Sequence, residues 1–344
     1  MSTSQPKSRP SRSLVVNLAL IALAFGLLGL AIHNNREQIR DVFRHGIDTR
    51  LFAMTVALYL VPVLLTFVRW YALVRVIEDR FTLRDAVLLG FIGNVFNLVI
   101  PGAVGGDFIK AAYLVRMDIR RTQAIASMVI DRILGLLGLF VLAAAAGVAA
   151  WPRAGQQVRI LIILAWVAVA GGLLVLTMIF SQRLTRSFPS LLEGPGKLAT
   201  ILVELRVMSE TYRKRLGLVA GMLGLSTLIH VLNVVAFYLA SKAIFPTPIP
   251  SFGAHLLMVP LTLFTTAVPI PFGALGLTEQ VSSELFRLVN HPGGAVAMMA
   301  FRVLMYCGGL IGVGVYLTRI QQVRALSAAA RTLEEEVRDP ELIA

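Results

Sequence analysis

Two stretches decide how this chain folds: Asn97-Leu-Val-Ile-Pro101-Gly102-Ala-Val-Gly105-Gly106-Asp107 and Pro269-Ile-Pro271-Phe-Gly273-Ala-Leu-Gly276-Leu-Thr-Glu279. Each interrupts a long apolar region, Ala86 to Met117 in the first case and Phe252 to Asn290 in the second. Neither can continue as a helix. Proline removes a backbone donor and clashes with the preceding turn, while clustered glycines admit the left-handed angles that a chain reversal needs. The expected form is a re-entrant helical hairpin. Irregular backbone at membrane depth survives only where protein buries it or a polar cavity wets it, so each break should line a cavity.

The rest of the chain supplies the membrane. Hydrophobic residues make up 57% of the 344 positions and charged residues 15%, a balance that a soluble core and a solvated surface cannot share. Runs of bilayer length occur at Leu14 to Ile32, Leu51 to Val68, Ile133 to Ala150, Val158 to Phe180, Leu216 to Ala240 and Ala295 to Leu317. Six crossings follow. The first run lies behind Lys7, Arg9 and Arg12 but lacks a small-residue cleavage pattern, so it reads as an uncleaved span. The fold class is therefore all-α integral membrane, with six transmembrane helices and two re-entrant hairpins.

The net charge of +13 would suggest nucleic acid in a soluble chain. Here the basic residues flank apolar runs, where they set orientation, and nucleic-acid binding is excluded as a function class. With both regions re-entrant and both termini cytoplasmic, 23 of the 32 lysines and arginines fall on the cytoplasmic side and nine on the other. That bias supports the arrangement.

An internal repeat appears at an offset of 170 residues, placing Pro101 on Pro271, Gly106 on Gly276, Met128 on Met298, Arg132 on Arg302 and Gly138 on Gly308. Three crossings separate corresponding elements, so the halves point in opposite directions. An inverted repeat of this kind is a transporter signature. The organisation expected is a cytoplasmic arm at 1–13, a first membrane repeat at 14–150, a second at 158–317 and a cytoplasmic tail at 318–344. Between the repeats, 181–215 carries Leu198, Ile201, Leu202 and Leu205 at helical spacing and should lie on the cytoplasmic surface.

Polar residues inside the apolar regions carry the chemistry. Asn94 and Asn97 precede the first break, Asp107 and Lys110 follow it, and Asp131 and Arg132 come next. Glu279 follows the second break and Arg302 lies in the last span. A lone charge in hydrocarbon costs a few kcal/mol, so partners are required, and the simplest pairs are Asp107 with Arg132 and Glu279 with Arg302. The half-helix N-termini at Gly106 and Gly276 would present backbone donors and positive dipole ends, which suits an anionic phosphate. The expected headgroup site comprises Asn94, Asn97, Pro101, Gly105, Gly106, Asp107, Lys110, Arg132, Pro271, Gly273, Gly276, Glu279 and Arg302. His230 and His255 lack a third ligand at metal spacing, and Cys307 has no cysteine partner. No catalytic constellation or nucleotide loop occurs, so no enzyme activity and no cofactor are expected.

The stretch Arg69-Trp70, the segment Asn94 to Asp107 with its Pro-x-x-x-Gly-Gly-Asp core, Asp131-Arg132 and Pro271 to Glu279 together resemble the transmembrane flippase domain associated with lysylphosphatidylglycerol synthases. That resemblance implies the fold, the prokaryotic plasma membrane, and a lipid or lipid-linked substrate: anionic or aminoacylated phospholipid, or a lipid-linked sugar. Aminoacyl transfer in bifunctional relatives belongs to a separate soluble part and is not carried over. The expected function is movement of such a lipid between leaflets, with a separate lipid-modifying enzyme as a candidate partner. Two alternatives stand beside it: a non-transporting scaffold for such an enzyme, or a membrane-embedded lipid-linked sugar transferase using Asp107 or Glu279 as base.

Overall fold

The structure, a computed structural model, describes residues 12–99, 105–181, 206–207, 209–268 and 270–321. Most of the arm, most of the 181–215 segment, most of the tail and Pro101 lie outside the described residues. Among the described residues, eleven helices of ten or more residues organise the fold, in chain order α1 (Arg12–Asn34), α2 (Arg36–His45), α3 (Thr49–Val74), α4 (Leu83–Val99), α5 (Gly105–Arg116), α6 (Arg121–Ala150), α7 (Gln156–Ser181), α8 (Leu216–Ile244), α9 (Phe252–Phe264), α10 (Leu277–Arg287) and α11 (Gly294–Thr318). No strand occurs among the described residues.

Among the described residues, five helices are long and apolar enough to cross a bilayer, and α1 with α2 gives a sixth although the pair bends by 67°. Their outer faces expose hydrocarbon: Leu164 is 56% and Val167 61% accessible on α7. Such faces need lipid as solvent. The α2 segment was not expected as a helix. Its arginines read as loop charges, yet Ile39 and Val42 at helical spacing pack against the core and Asn35 turns the chain by donating to the Ala31 carbonyl at 2.8 Å.

Each apolar region with a proline-glycine break forms two short helices. At 1.5 Å per residue, the 17 residues of α4 span about 25 Å and the 12 of α5 about 18 Å, both short of a hydrocarbon core of about 30 Å. The outer ends of the pair meet: Tyr113 donates to Asp85 at 3.0 Å, and Arg80 reaches the Met117 carbonyl. The second pair does likewise, with the His255 ring on α9 5.1 Å from that of Phe286 on α10. Shifting α3 by 170 residues ends it at 244, the last residue of α8. The same shift lays α6 over α11.

The halves are exchanged in packing. The α4 helix lies on α11, where Phe96 meets Tyr316 at 6.0 Å between ring centroids, and α9 lies on α6, where Phe140 meets Phe264 at 4.9 Å. Helices α3 and α8 pack along each other at the centre.

Glycine makes the first pair possible at one point. A Cβ placed on Gly106 would collide with the backbone of Gly93 across the α4–α5 contact, and backbone cannot swing aside. Gly106→Ala is expected to cost about 1–3 kcal/mol by overpacking and to lower the midpoint of thermal unfolding in detergent. Gly221→Ala in α8, where the added carbon meets nothing within 4 Å, is the control and should cause no loss. Equal midpoints for the two variants would contradict the close approach.

Candidate functional site

The second break is built around three non-glycine or glycine residues in left-handed conformation, Phe272 (φ 59°), Gly273 (φ 67°) and Ala274 (φ 53°), followed by Gly276 at φ 82°. Phe272 and Ala274 carry a Cβ there, an arrangement that persists only when surroundings over-determine it. Arg302 does this. Its Nη1 donates to the carbonyls of Phe272 at 2.7 Å and Gly273 at 3.2 Å, while Nε and Nη2 hold both oxygens of Glu279. Glu279 also accepts from the Gly276 amide at 2.7 Å, capping α10. The cluster is buried: the Arg302 and Glu279 side chains are 4% and 0% exposed, and Leu27 and Leu28 of α1 press on Gly276.

The first break is arranged differently. The Gly106 amide donates to Asn97 Oδ1 at 2.8 Å, so α4 caps α5. Asp107 accepts from Arg132 Nε at 2.6 Å and faces Lys110 Nζ at 3.5 Å, and that ammonium also lies 5.1 Å from the Trp70 ring. Arg132 is 42% exposed at its side chain. Both expected ion pairs therefore form, but in opposite environments. The equivalence is in the arginines alone: Asp107 follows Gly106 directly, whereas Glu279 stands three residues beyond Gly276.

A cavity of about 340 Å³ opens beside Arg132, and a second of about 190 Å³ adjoins it through Tyr59, Thr266 and Met305, which line both. Asn94, Asn97 and Gly273 line the smaller and Arg132 the larger. One residue from each break thus faces shared space. Of the remaining expected residues, Gly106, Asp107 and Lys110 stand in the shell behind the first break, and Pro271, Gly276, Glu279 and Arg302 in the packed cluster of the second. Gly105 opens α5, and Pro101 lies outside the described residues. The amides at Gly106 and Gly276 donate to side-chain caps, Asn97 in the first case and Glu279 in the second.

Sequence reading missed Arg69 as a wall of the site. Five residues before the end of α3 it looks like a loop charge setting orientation, but it is buried, pairs with both oxygens of Asp131 at 2.8 and 3.1 Å and donates to Ser226 at 2.9 Å. Gly135 leaves room for it, since a Cβ there would come within 3.3 Å of the guanidinium. His230 and Asn233 on α8 were also missed as lining groups. His230 Nε2 is 2.9 Å from the Gly135 carbonyl, in keeping with a hydrogen-bonded helix histidine, while Asn233 in the apolar run Val231 to Ala236 was the available signal.

Apolar helices exposing hydrocarbon outward around a polar, guanidinium-walled centre define a multi-pass membrane protein. The sequence profile of the lysylphosphatidylglycerol synthase TM region matches residues 14–314, and the chain belongs to that family. Membership ties it to phospholipid modification or translocation, with lipids as its partners. No curated protein matches the chain.

Proposed function

We propose that this protein moves the headgroup of a phospholipid or lipid-linked compound between the leaflets of the bacterial plasma membrane, without chemistry on it. The observation that carries this reading is the pair of neighbouring cavities that share Tyr59, Thr266 and Met305, the smaller lined by Asn97 of the first break and Gly273 of the second, the larger by Arg69 and Arg132. A headgroup needs a polar route through about 30 Å of hydrocarbon while its acyl chains stay in lipid. Two helix pairs too short to span, their outer ends together, suit re-entrant hairpins meeting near the midplane, and the 170-residue correspondence suits an inverted repeat. Arg132 would exchange the Asp107 carboxylate for a phosphodiester during passage, since a guanidinium fork fits either.

Purified protein in liposomes with labelled phospholipids is expected to accelerate transfer between leaflets well above protein-free vesicles. Transfer at the protein-free rate for every lipid tried would sink the reading and leave the scaffold alternative. The topology that goes with it has both termini cytoplasmic. In a Cys307→Ser background, Asp79→Cys should react with an impermeant thiol probe from the cytoplasmic side and Arg153→Cys from the periplasmic side. The reverse pattern would remove the inverted arrangement.

A further inference from the structure

Helix α2, Arg36-Glu-Gln-Ile-Arg40-Asp-Val-Phe43-Arg44-His45, contributes to neither cavity. Nor is it needed to complete a span. The 23 residues of α1 reach about 34 Å and cross the hydrocarbon by themselves. With α1 as the span, the 67° bend at Asn35 turns α2 closer to the bilayer plane than to its normal. The helix is held there by one edge. Val42 is buried, Ile39 packs against the core, and the Asp48 amide in the following turn donates to the Ala243 carbonyl at the end of α8, at 2.9 Å.

The remaining circumference of α2 is sorted by chemistry. Arg36, Arg40 and Arg44 stand four residues apart, so they form one stripe, and all three are exposed. Phe43 lies seven residues from Arg36, on the same face, and is 76% exposed, more than any other large apolar side chain among the described residues. Glu37 and Asp41 form the next stripe round. Among the described residues, no carboxylate comes within ion-pair distance of Arg36, Arg40 or Arg44. An apolar ring beside three unpaired guanidinium groups, on a helix near the bilayer plane, is the pattern of an interfacial helix: the ring seeks acyl chains and the cations seek phosphates at the same depth.

Orientation does not account for the cluster. With both termini cytoplasmic, α2 lies on the other side of the membrane, where basic residues are disfavoured, yet Arg36, Arg40, Arg44 and Arg50 make up four of the nine on that side. We propose that α2 lies in the headgroup layer of the leaflet it faces and gathers anionic phospholipids there, with Phe43 among the acyl chains and Arg36, Arg40 and Arg44 against the phosphates. This surface is separate from the cavities and does not depend on lipid movement through them.

The test places an uncharged environment-sensitive dye at residue 43 of the full chain, by Phe43→Cys in a Cys307→Ser background. The protein is reconstituted in nanodiscs of phosphatidylcholine mixed equally with phosphatidylglycerol, one or the other lipid being brominated so that it quenches the dye on contact. Brominated phosphatidylglycerol is expected to quench as though enriched about fivefold over brominated phosphatidylcholine, the effect of a single arginine at the membrane surface. Replacing Arg36, Arg40 and Arg44 with glutamine should bring the two lipids to equal quenching while both still reach the dye. If that variant is not recovered, sodium chloride at about 1 M, where the screening length falls to about 3 Å, should do the same to the unsubstituted stripe. Equal quenching by the two lipids with the arginines present, or a preference that survives both the glutamines and the salt, would overturn the inference. So would quenching by neither lipid, which would put α2 in water or against a second copy of the chain.

Discussion

Arg302→Met is expected to eliminate most of the monodisperse protein recovered in mild detergent. The side chain removed is 4% exposed and its partner Glu279 is wholly buried, so the variant would leave a carboxylate without a counter-charge inside the protein. Breaking such a pair costs about 3–5 kcal/mol, a large share of the stability of any domain. Two further losses add to this. The carbonyls of Phe272 and Gly273 lose their donor, and the left-handed turn they belong to loses the group that fixes it. A second variant, Arg302→Met with Glu279→Leu, removes the unpaired charge and should recover part of the thermal midpoint. Recovery should stay incomplete, because the Gly276 amide and the Phe272 carbonyl lose their partners. Size-exclusion chromatography and thermal unfolding read the outcome, and a single Arg302→Met variant melting within a few degrees of the parent would contradict the locking role.

Arg132 should behave in the opposite way. Its side chain is 42% exposed beside the cavity, and an ion pair so accessible contributes under about 1 kcal/mol after solvent screening. Arg132→Met is therefore expected to fold with a midpoint near that of the parent while losing transfer in liposomes by tenfold or more. Arg132→Lys separates charge from shape. The lysine keeps the positive charge but offers no planar fork for two phosphate oxygens, so transfer should fall while stability holds. The double replacement Arg132→Met with Asp107→Asn, whose amide oxygen still faces the buried Lys110 ammonium, should fold and remain inactive. If that double variant transferred lipid at the parental rate, the pair would be a packing device and the phosphate role would be gone.

The contrast between the two arginines shows what could be read from sequence. The offset of 170 residues, the helix-breaking residues and the presence of an acid near each arginine were legible because proline, glycine and intramembrane charge each carry a steep energetic penalty that restricts where they occur. What periodicity could not give was which of the two arginines would be exposed. That depends on α1, whose Leu27 and Leu28 close over Gly276 and have no counterpart described at Gly106. Arg69 was obscured for a related reason. A basic residue near a helix end satisfies the orientation rule and a buried network equally well, and only Asp131 and Ser226, distant in sequence, distinguish them. Asn233 was a lone amide in an apolar run, a weaker signal than a charge because its desolvation costs less.

The exchange of partners between halves has a consequence for biogenesis. Gly312 of α11 packs against the Phe91 carbonyl of α4, about 220 residues earlier in the chain. At synthesis rates of roughly 5–20 residues per second, α4 and α5 wait on the order of ten to forty seconds for the surface that covers them. Through that interval a helix pair too short to span the bilayer, with Asp107 and Lys110 between its arms, has no completed seat. The first half of the chain is thus committed to the membrane before it can reach its final fold, and its docking is limited by the arrival of the last helix.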